Sequence, residues 1–207
     1  MGKGKFKIYN SEEGYNLYAS KYDESLKFLD SFEKGEFYNI CGDIRGKKVL
    51  DLGAGTGRLT PWLLMGGAKL ASFDLSEGML RILKRKYPKS ETILGDVLDL
   101  SGIEEGSYDI VTAAFLIVHI AEKNLGKFFN EVYRVLKPGG IFVLSNINQR
   151  KPPKLQLEND EIQIKSFYHM PKKITQKLEE AFFLIENEKL INDGDVWINQ
   201  IILAKKI

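Results

Sequence analysis

The sequence predicts a doubly wound α/β fold: a sheet of about seven strands, mostly parallel, with helices on both faces and an antiparallel hairpin at its end. Three observations carry this expectation. From "KKVLDLG" onward, short apolar runs alternate with amphipathic ones, the pattern of a parallel sheet covered on both sides. A glycine-rich stretch, "VLDLGAGTGRLT" from Val49 to Thr60, follows the first run, where a strand would turn sharply into a helix. Near the end, "NDGD" from Asn192 to Asp195 separates two strand-like runs, and such a turn makes its flanking strands antiparallel neighbours.

Taken in order, residues 11 to 40 carry Tyr15, Tyr18, Tyr22, Leu26 and Leu29 at mixed three- and four-residue steps, which predicts helices packed onto the sheet. Five strands follow at "KKVLDL", "AKLASFDL", "ETILGDV", "YDIVTAAF" and "GIFVLSN". Between the second and third, Ser76 caps a helix through "EGMLRILKRKY" that Pro88 stops. Between the fourth and fifth, Leu125, Phe128, Phe129, Val132 and Val135 recur at helical spacing until "KPGG" ends the run at Pro138. A polar, proline-bearing loop, "NQRKPPKLQLEND", then leads through "EIQIKSFYHM" into a helix at "PKKITQKLEEAF". The closing strands are "FLIENEKLI" and "VWINQIILAKK".

A chain of 207 residues is large enough for one substantial core and short for two. We therefore expect a single domain over 1–207, with an N-terminal helical cap (1–40), a cofactor-binding half (41–145) and an acceptor-side part (146–207). Thirty Lys and Arg against 28 Asp and Glu leave a net charge of +2, which argues against an obligate nucleic-acid partner. The run "RILKRKYPK" reads as the wet face of a surface helix, without the interleaved aromatics that stack single strands. Cys41 is the single cysteine, so neither an internal disulfide nor a cysteine-rich metal site is expected, and a reducing cytoplasm fits best. No apolar run approaches the roughly 20 residues of a membrane span. The start "MGKGKFKIYN" lacks the apolar core of a signal peptide, and Phe6 breaks the myristoylation pattern; it reads as a solvated terminus.

At the glycine turn, Gly53 would give the sharp bend, Gly55 close backbone approach to a ligand, and Gly57 close packing of helix on strand. The dinucleotide fingerprint wants its third glycine where Arg58 stands. Asp74 closes the second strand, where a carboxylate can accept from ribose hydroxyls, although it could also cap the following helix. Asp96 closes the third strand, placed to accept from an exocyclic adenine amine while the Val97 N–H donates to a ring nitrogen, although it could sit in a solvated turn. Together these acids describe an adenosine site along the carboxyl edge of the sheet.

In the order and spacing of "LDLGAGTGRLT", "DLSEGML", "GDV", "YDIVTAAFLIVHI" and "EVYRVLKPGG", the chain resembles the class I S-adenosylmethionine-dependent methyltransferases. The likeness is to the broad group related to the ubiquinone and menaquinone biosynthesis methyltransferases, and it implies a Rossmann-like fold with N-terminal helices as a lid. It further implies S-adenosylmethionine as cofactor and S-adenosylhomocysteine as product, with Asp51 and the turn Gly53–Ala54–Gly55 cradling the methionine part. Asp74 with Leu75 would take the ribose, Asp96 with Val97 the adenine, and Phe115 and the lid residue Tyr22 further contacts.

For catalysis, His119 follows the fourth strand and could take a proton from a methyl acceptor; His169 and Tyr168 lie in the loop beyond the fifth. Each of these also reads as a packing residue. A methyltransferase needs little more, because the cofactor carries the reactivity. The acceptor is read as a small molecule, and neither its identity nor the oligomeric state is written in the sequence. A Rossmann oxidoreductase and a non-catalytic cofactor-binding module are the other classes that would use the same glycine turn.

Overall fold

The computed structural model describes residues 7–33, 35–157 and 160–207; of the start "MGKGKFKIYN" read as a solvated terminus, residues 1–6 lie outside them, whereas Lys7–Tyr9 form a short paired strand. Two sheets are present among the described residues. The larger has seven strands: β2 (Lys48–Leu52), β3 (Lys69–Asp74), β4 (Glu91–Leu94), β5 (Tyr108–Ala113), β6 (Leu136–Ile147), β9 (Phe183–Asp193) and β10 (Val196–Lys206). Their order is β4-β3-β2-β5-β6-β10-β9. Every pair from β4 to β6 is parallel, while β10 runs antiparallel to both β6 and β9. The chain thus winds outward from β2 in one direction, then returns to β5 on its other side, leaving a crevice between the carboxyl ends of β2 and β5. Ligands of open parallel sheets bind at such a switch point.

Helices α4 (Thr60–Met65), α5 (Glu77–Lys86), α6 (Glu122–Val135) and α7 (Pro171–Glu180) join these strands. The apolar stripe of α6 is fully buried at Leu125, Phe128, Phe129, Val132 and Val135. Burying each such side chain contributes about 1.5–3 kcal/mol, so the stripe fixes the helix to the sheet. Phe128 and Phe129 meet Phe142 of β6 at centroid distances of 6.1 and 6.2 Å, which makes truncation of Phe128 the change that would most disturb this layer. In α5, Ser76 Oγ accepts from Met79 N at 3.1 Å, and Met79, Leu80 and Leu83 face inward. Its outward face carries the basic run.

Two local expectations change. The "KPGG" turn belongs to the start of β6: α6 stops at Val135, and Leu136 already pairs with Tyr108 before the register shifts to Ile110 opposite Ile141. The polar loop after β6 contains β7 (Lys154–Leu157), which pairs with β8 (Asp160–Ile164); β8 in turn runs parallel to β1 (Lys7–Tyr9). These three short strands form the second sheet. Prolines and charges hid β7, because edge strands tolerate both.

The N-terminal segment folds as α1 (Ser11–Tyr22), a 3₁₀ turn at Asp23–Ser25, α2 (Leu26–Glu33) and α3 (Glu36–Ile40). Gly14 of α1 is buried, and a Cβ there would stand 2.6 Å from Ile164 Cγ1 of β8. Among the described residues no helix is long and apolar enough to cross a membrane.

Candidate active site

The crevice holds a cavity of about 310 Å³. Its floor is the glycine turn after β2, and its sides come from the ends of β3, β4 and β5. The turn hangs on β3, since Gly53 N and Ala54 N donate to the Phe73 carbonyl at 2.8 and 3.0 Å. Gly55 N donates to Asp74 Oδ2 at 2.8 Å, and Gly57 N to the Ala54 carbonyl at 2.9 Å. Gly55 has φ of 56° and lines the cavity, so a backbone that only glycine adopts without strain meets the ligand space. Gly57 has φ of 92°, and a Cβ there would meet Tyr87 Cε2 at 2.9 Å. Because all four of these N–H groups have protein acceptors, the turn permits close approach without the open nest of donors that a pyrophosphate needs.

Asp74 braces the wall beside the turn. Its second oxygen, Oδ1, accepts from Ser76 N at 2.8 Å. Each oxygen has a further lone pair for a hydroxyl donor. Burial pushes this carboxyl up, while its backbone donors pull it down. Leu75 and, after β4, Asp96 and Val97 continue the wall. Asp96 is exposed and accepts from Leu98 N at 2.9 Å. Asp51 and Ala54 lie behind the cavity surface: Ala54 is buried in the turn, and Asp51, 2% exposed, accepts from Thr112 Oγ1 at 2.7 Å. Burial pushes Asp51 up to about 7, although the Thr112 hydroxyl favours its ionised form.

A second cavity, about 450 Å³, adjoins the first. Tyr15, Tyr22, Phe115 and His119 line both. His119 Nδ1 lies 3.1 Å from the Lys165 carbonyl, which can only accept, so Nδ1 carries the proton. Nε2 is then free to accept the Tyr15 hydroxyl, 2.7 Å away. Burial lowers the His119 pKa and outweighs the Lys165 carbonyl, favouring this neutral form. Burial also raises Tyr15, and pushes Tyr22 up to about 12. The three tyrosines stack edge to face, Tyr15 on Tyr22 at 5.9 Å and Tyr18 on Tyr22 at 6.5 Å.

His169 and Tyr168 stand elsewhere. His169 is buried, with Nε2 3.0 Å from both the Ile117 and Ile120 carbonyls, where it braces the 3₁₀ turn that carries His119. Tyr168 lies against Trp197 at 6.0 Å and beneath the Arg150 guanidinium at 4.7 Å.

Arg58, noted in the sequence only as a departure from the dinucleotide pattern, is a central tie. Its guanidinium grips Glu33 of α2 with both nitrogens, at 2.7 and 3.2 Å, reaches Asp30 at 3.0 Å, and lies 4.9 Å over the Phe115 ring. Glu33 is 1% exposed; burial pushes its carboxyl up, and Arg58 opposes that. Phe115 holds φ of 56°, an uncommon strain for an aromatic residue, with its N–H on Ser145 Oγ at 3.0 Å. Thr56 Oγ1 donates to Asp23 Oδ1, and Asn16 Oδ1 accepts from Ser76 Oγ and Gly78 N, both at 2.8 Å. The N-terminal helices are thereby bolted to the glycine turn and to the start of α5. Partners 25 to 62 residues apart leave no local spacing signal. Among the described residues no cluster of metal-ligating side chains occurs.

Residues 50–144 match the family model described as a methyltransferase domain. The demethylmenaquinone methyltransferase of Clavibacter sepedonicus is 34% identical over 142 residues, covering 65% of this chain and 57% of that protein. The enzyme of the same name from Paenarthrobacter aurescens is 29% identical over 181 residues, covering 86% of this chain and 70% of that protein. The chain therefore spans a little over half to about two thirds of these relatives. In fold it matches an S-adenosylmethionine-dependent methyltransferase from Mesorhizobium loti with a TM-score of 0.70 at 18% identity, over 86% of this chain and 99% of that one. Motif order, domain match and fold agree in likening the chain to the class I S-adenosylmethionine-dependent methyltransferases, in the group related to the menaquinone and ubiquinone enzymes.

Proposed function

We propose that the protein binds S-adenosylmethionine in the first cavity and transfers its methyl group to a small-molecule acceptor in the second. The meeting of the two cavities at Tyr15, Tyr22, Phe115 and His119 is the observation that carries this reading. The first cavity suits the cofactor: a turn without free anion donors, a half-buried carboxylate with spare acceptor capacity at Asp74, and the Asp96–Val97 edge beyond it. When bound, S-adenosylmethionine supplies a methyl on a sulfonium, which a nucleophile displaces in line to leave S-adenosylhomocysteine.

The chain's own part is to position the partners, exclude water and manage one proton. Asp74 and Leu75 would hold the ribose, Asp96 and Val97 the adenine, and Gly53 to Gly55 the methionine end, with Asp51 buried behind the turn. Tyr22 and the helices at residues 11–33 would close over the cofactor. His119, neutral at Nε2 and in contact with the Tyr15 hydroxyl, is the group to receive a proton from an O–H or N–H acceptor, directly or through that hydroxyl. The relatives' names give demethylmenaquinone as their acceptor; for this chain we infer an apolar small molecule.

Thermal unfolding tests the cofactor assignment. S-adenosylhomocysteine at ~100 times its dissociation constant should add about 2.7 kcal/mol of stability and raise the melting temperature, whereas NAD should leave it unchanged. Stabilisation by NAD alone would overturn the assignment.

A further inference from the structure

The second cavity differs from the first in the charges on its wall. Its body is apolar and aromatic, with Phe32, Val118, Leu155 and Trp197 among the residues that face it. Its charged groups are Arg150 and Lys151, on the segment after β6, and no Asp or Glu lines it among the described residues. The first cavity, in contrast, is lined by Glu12, Asp74 and Asp96 and, among the described residues, by no Lys or Arg. Arg150 is set by its stacking over Tyr168, whose ring lies against Trp197. Its side-chain hydrogen bond among the described residues, from Nη2 to Tyr168 Oη at 3.4 Å, is long and leaves the other guanidinium donors to a ligand. Neither cation forms an ion pair among the described residues.

Resting on the methyltransferase reading above, we propose that the acceptor is a flat apolar molecule bearing a negatively charged group, a carboxylate or phosphate, that Arg150 and Lys151 hold while its body lies among the aromatic residues. Two physical arguments support this. A guanidinium fork matches a carboxylate or phosphate edge with paired hydrogen bonds, and an aromatic surface beneath Arg150 holds the fork without neutralising it. A cationic acceptor would meet two positive charges with no carboxylate on that wall to offset them, and a neutral one would gain hydrogen bonds but no ion pair. The same asymmetry sorts the two ligands: the positively charged cofactor faces the acidic cavity, and the anionic acceptor faces the basic one.

The experiment uses three probes with one aromatic body on the full chain saturated with S-adenosylhomocysteine: 2-naphthoate, 2-naphthol and 2-naphthyl-trimethylammonium. Binding is read by calorimetry and by quenching of Trp197 fluorescence, with Trp197→Phe as the signal control. The naphthoate should bind about tenfold tighter than the naphthol, as two partly exposed ion pairs allow. The Arg150→Gln/Lys151→Gln protein should bring the two within about twofold, with its affinity for S-adenosylhomocysteine unchanged. Equal affinity for naphthoate and naphthol, preference for the ammonium, binding of no probe, or selectivity untouched by the double substitution would each overturn the proposal. The affinity for S-adenosylhomocysteine, measured first, separates these failures from a failure of the cofactor assignment.

Discussion

The first cavity takes its glycine floor and the Asp74, Leu75, Asp96 and Val97 wall from the ends of neighbouring parallel strands, within residues 53–98, with α1 closing it at Glu12 and Tyr15, whereas the second is assembled from segments as far apart as Tyr15 and Trp197. In the first, the backbone does much of the positioning, since Asp74 is fixed by Gly55 N and Ser76 N. In the second, side chains from helices, loops and the second sheet converge, and only the tertiary fold sets their distances. A cofactor common to many reactions suits the first mode of construction. A particular acceptor suits the second, because its walls can change without touching the strand ends.

The Arg58–Glu33 pair spans both regions and offers the largest break. Arg58→Ala would leave the Glu33 carboxylate buried without its partner, which costs about 3–5 kcal/mol. The melting temperature should fall sharply, and both cavities should lose ligand affinity as α2 loosens. Retention of full stability would mean that the pair is dispensable to the union of the two regions.

His119→Gln should act on turnover alone. Loss of a general base lowers kcat by about 10²-fold or more, while binding of S-adenosylhomocysteine stays the same by calorimetry. The wild-type rate should fall on the acid side below the ordinary histidine value, because burial lowers the His119 pKa and its neutral form persists to lower pH. An acid limb above that value would assign the proton to another group.

Asp74→Ala should act on the first cavity, weakening cofactor binding by about 2 kcal/mol through loss of charge-assisted bonds. It also strips Gly55 N and Ser76 N of their acceptor, so a modest loss of melting temperature should accompany it. Binding of an aromatic probe in the second cavity should be spared. Unchanged cofactor affinity in the folded variant would reduce Asp74 to a brace.

Asp51 gives the most gradual effect, spread over several pH units. Its folded pKa of about 7 lies above the ordinary value of 3.8, so the folded chain holds a proton that the unfolded chain has lost between those values. Its contribution to stability is complete below about pH 4 and disappears as pH rises through about 7, at up to about 1.4 kcal/mol per pH unit. Denaturant titrations should show Asp51→Asn flattening that slope. An identical pH profile in the variant would show that Asp51 stays ionised in the fold.

Most of the large sheet was legible because its strands are short apolar runs bounded by Gly, Pro and Asp, and because α6 buries a strict stripe. Asp74 and Asp96 were legible as strand-end acids, one closing β3 and one just past β4, and both line the first cavity. Tyr15 was legible as a helical aromatic, but not as the partner of His119, 104 residues away. Arg58 and Glu33 were invisible as a pair for the same reason. The second sheet escaped because β7 carries prolines before it and charges within it, and because β1 finds a partner only through the distant β8.

That last pairing orders events in time. Lys7, near the start of the chain, lies opposite Ile162 of β8, and Gly14 packs on Ile164. As synthesis proceeds from the N-terminus, β2 to β6 can assemble with their glycine turn and strand-end acids while β1 and α1 still lack their seat on β8. Closing so long a loop is an entropic cost met late, once the contacts that reward it exist. A nascent chain would thus carry the strand-end cradle well before it has a roof, and the proposed methyl-transfer chamber would close only once β8 has followed β6.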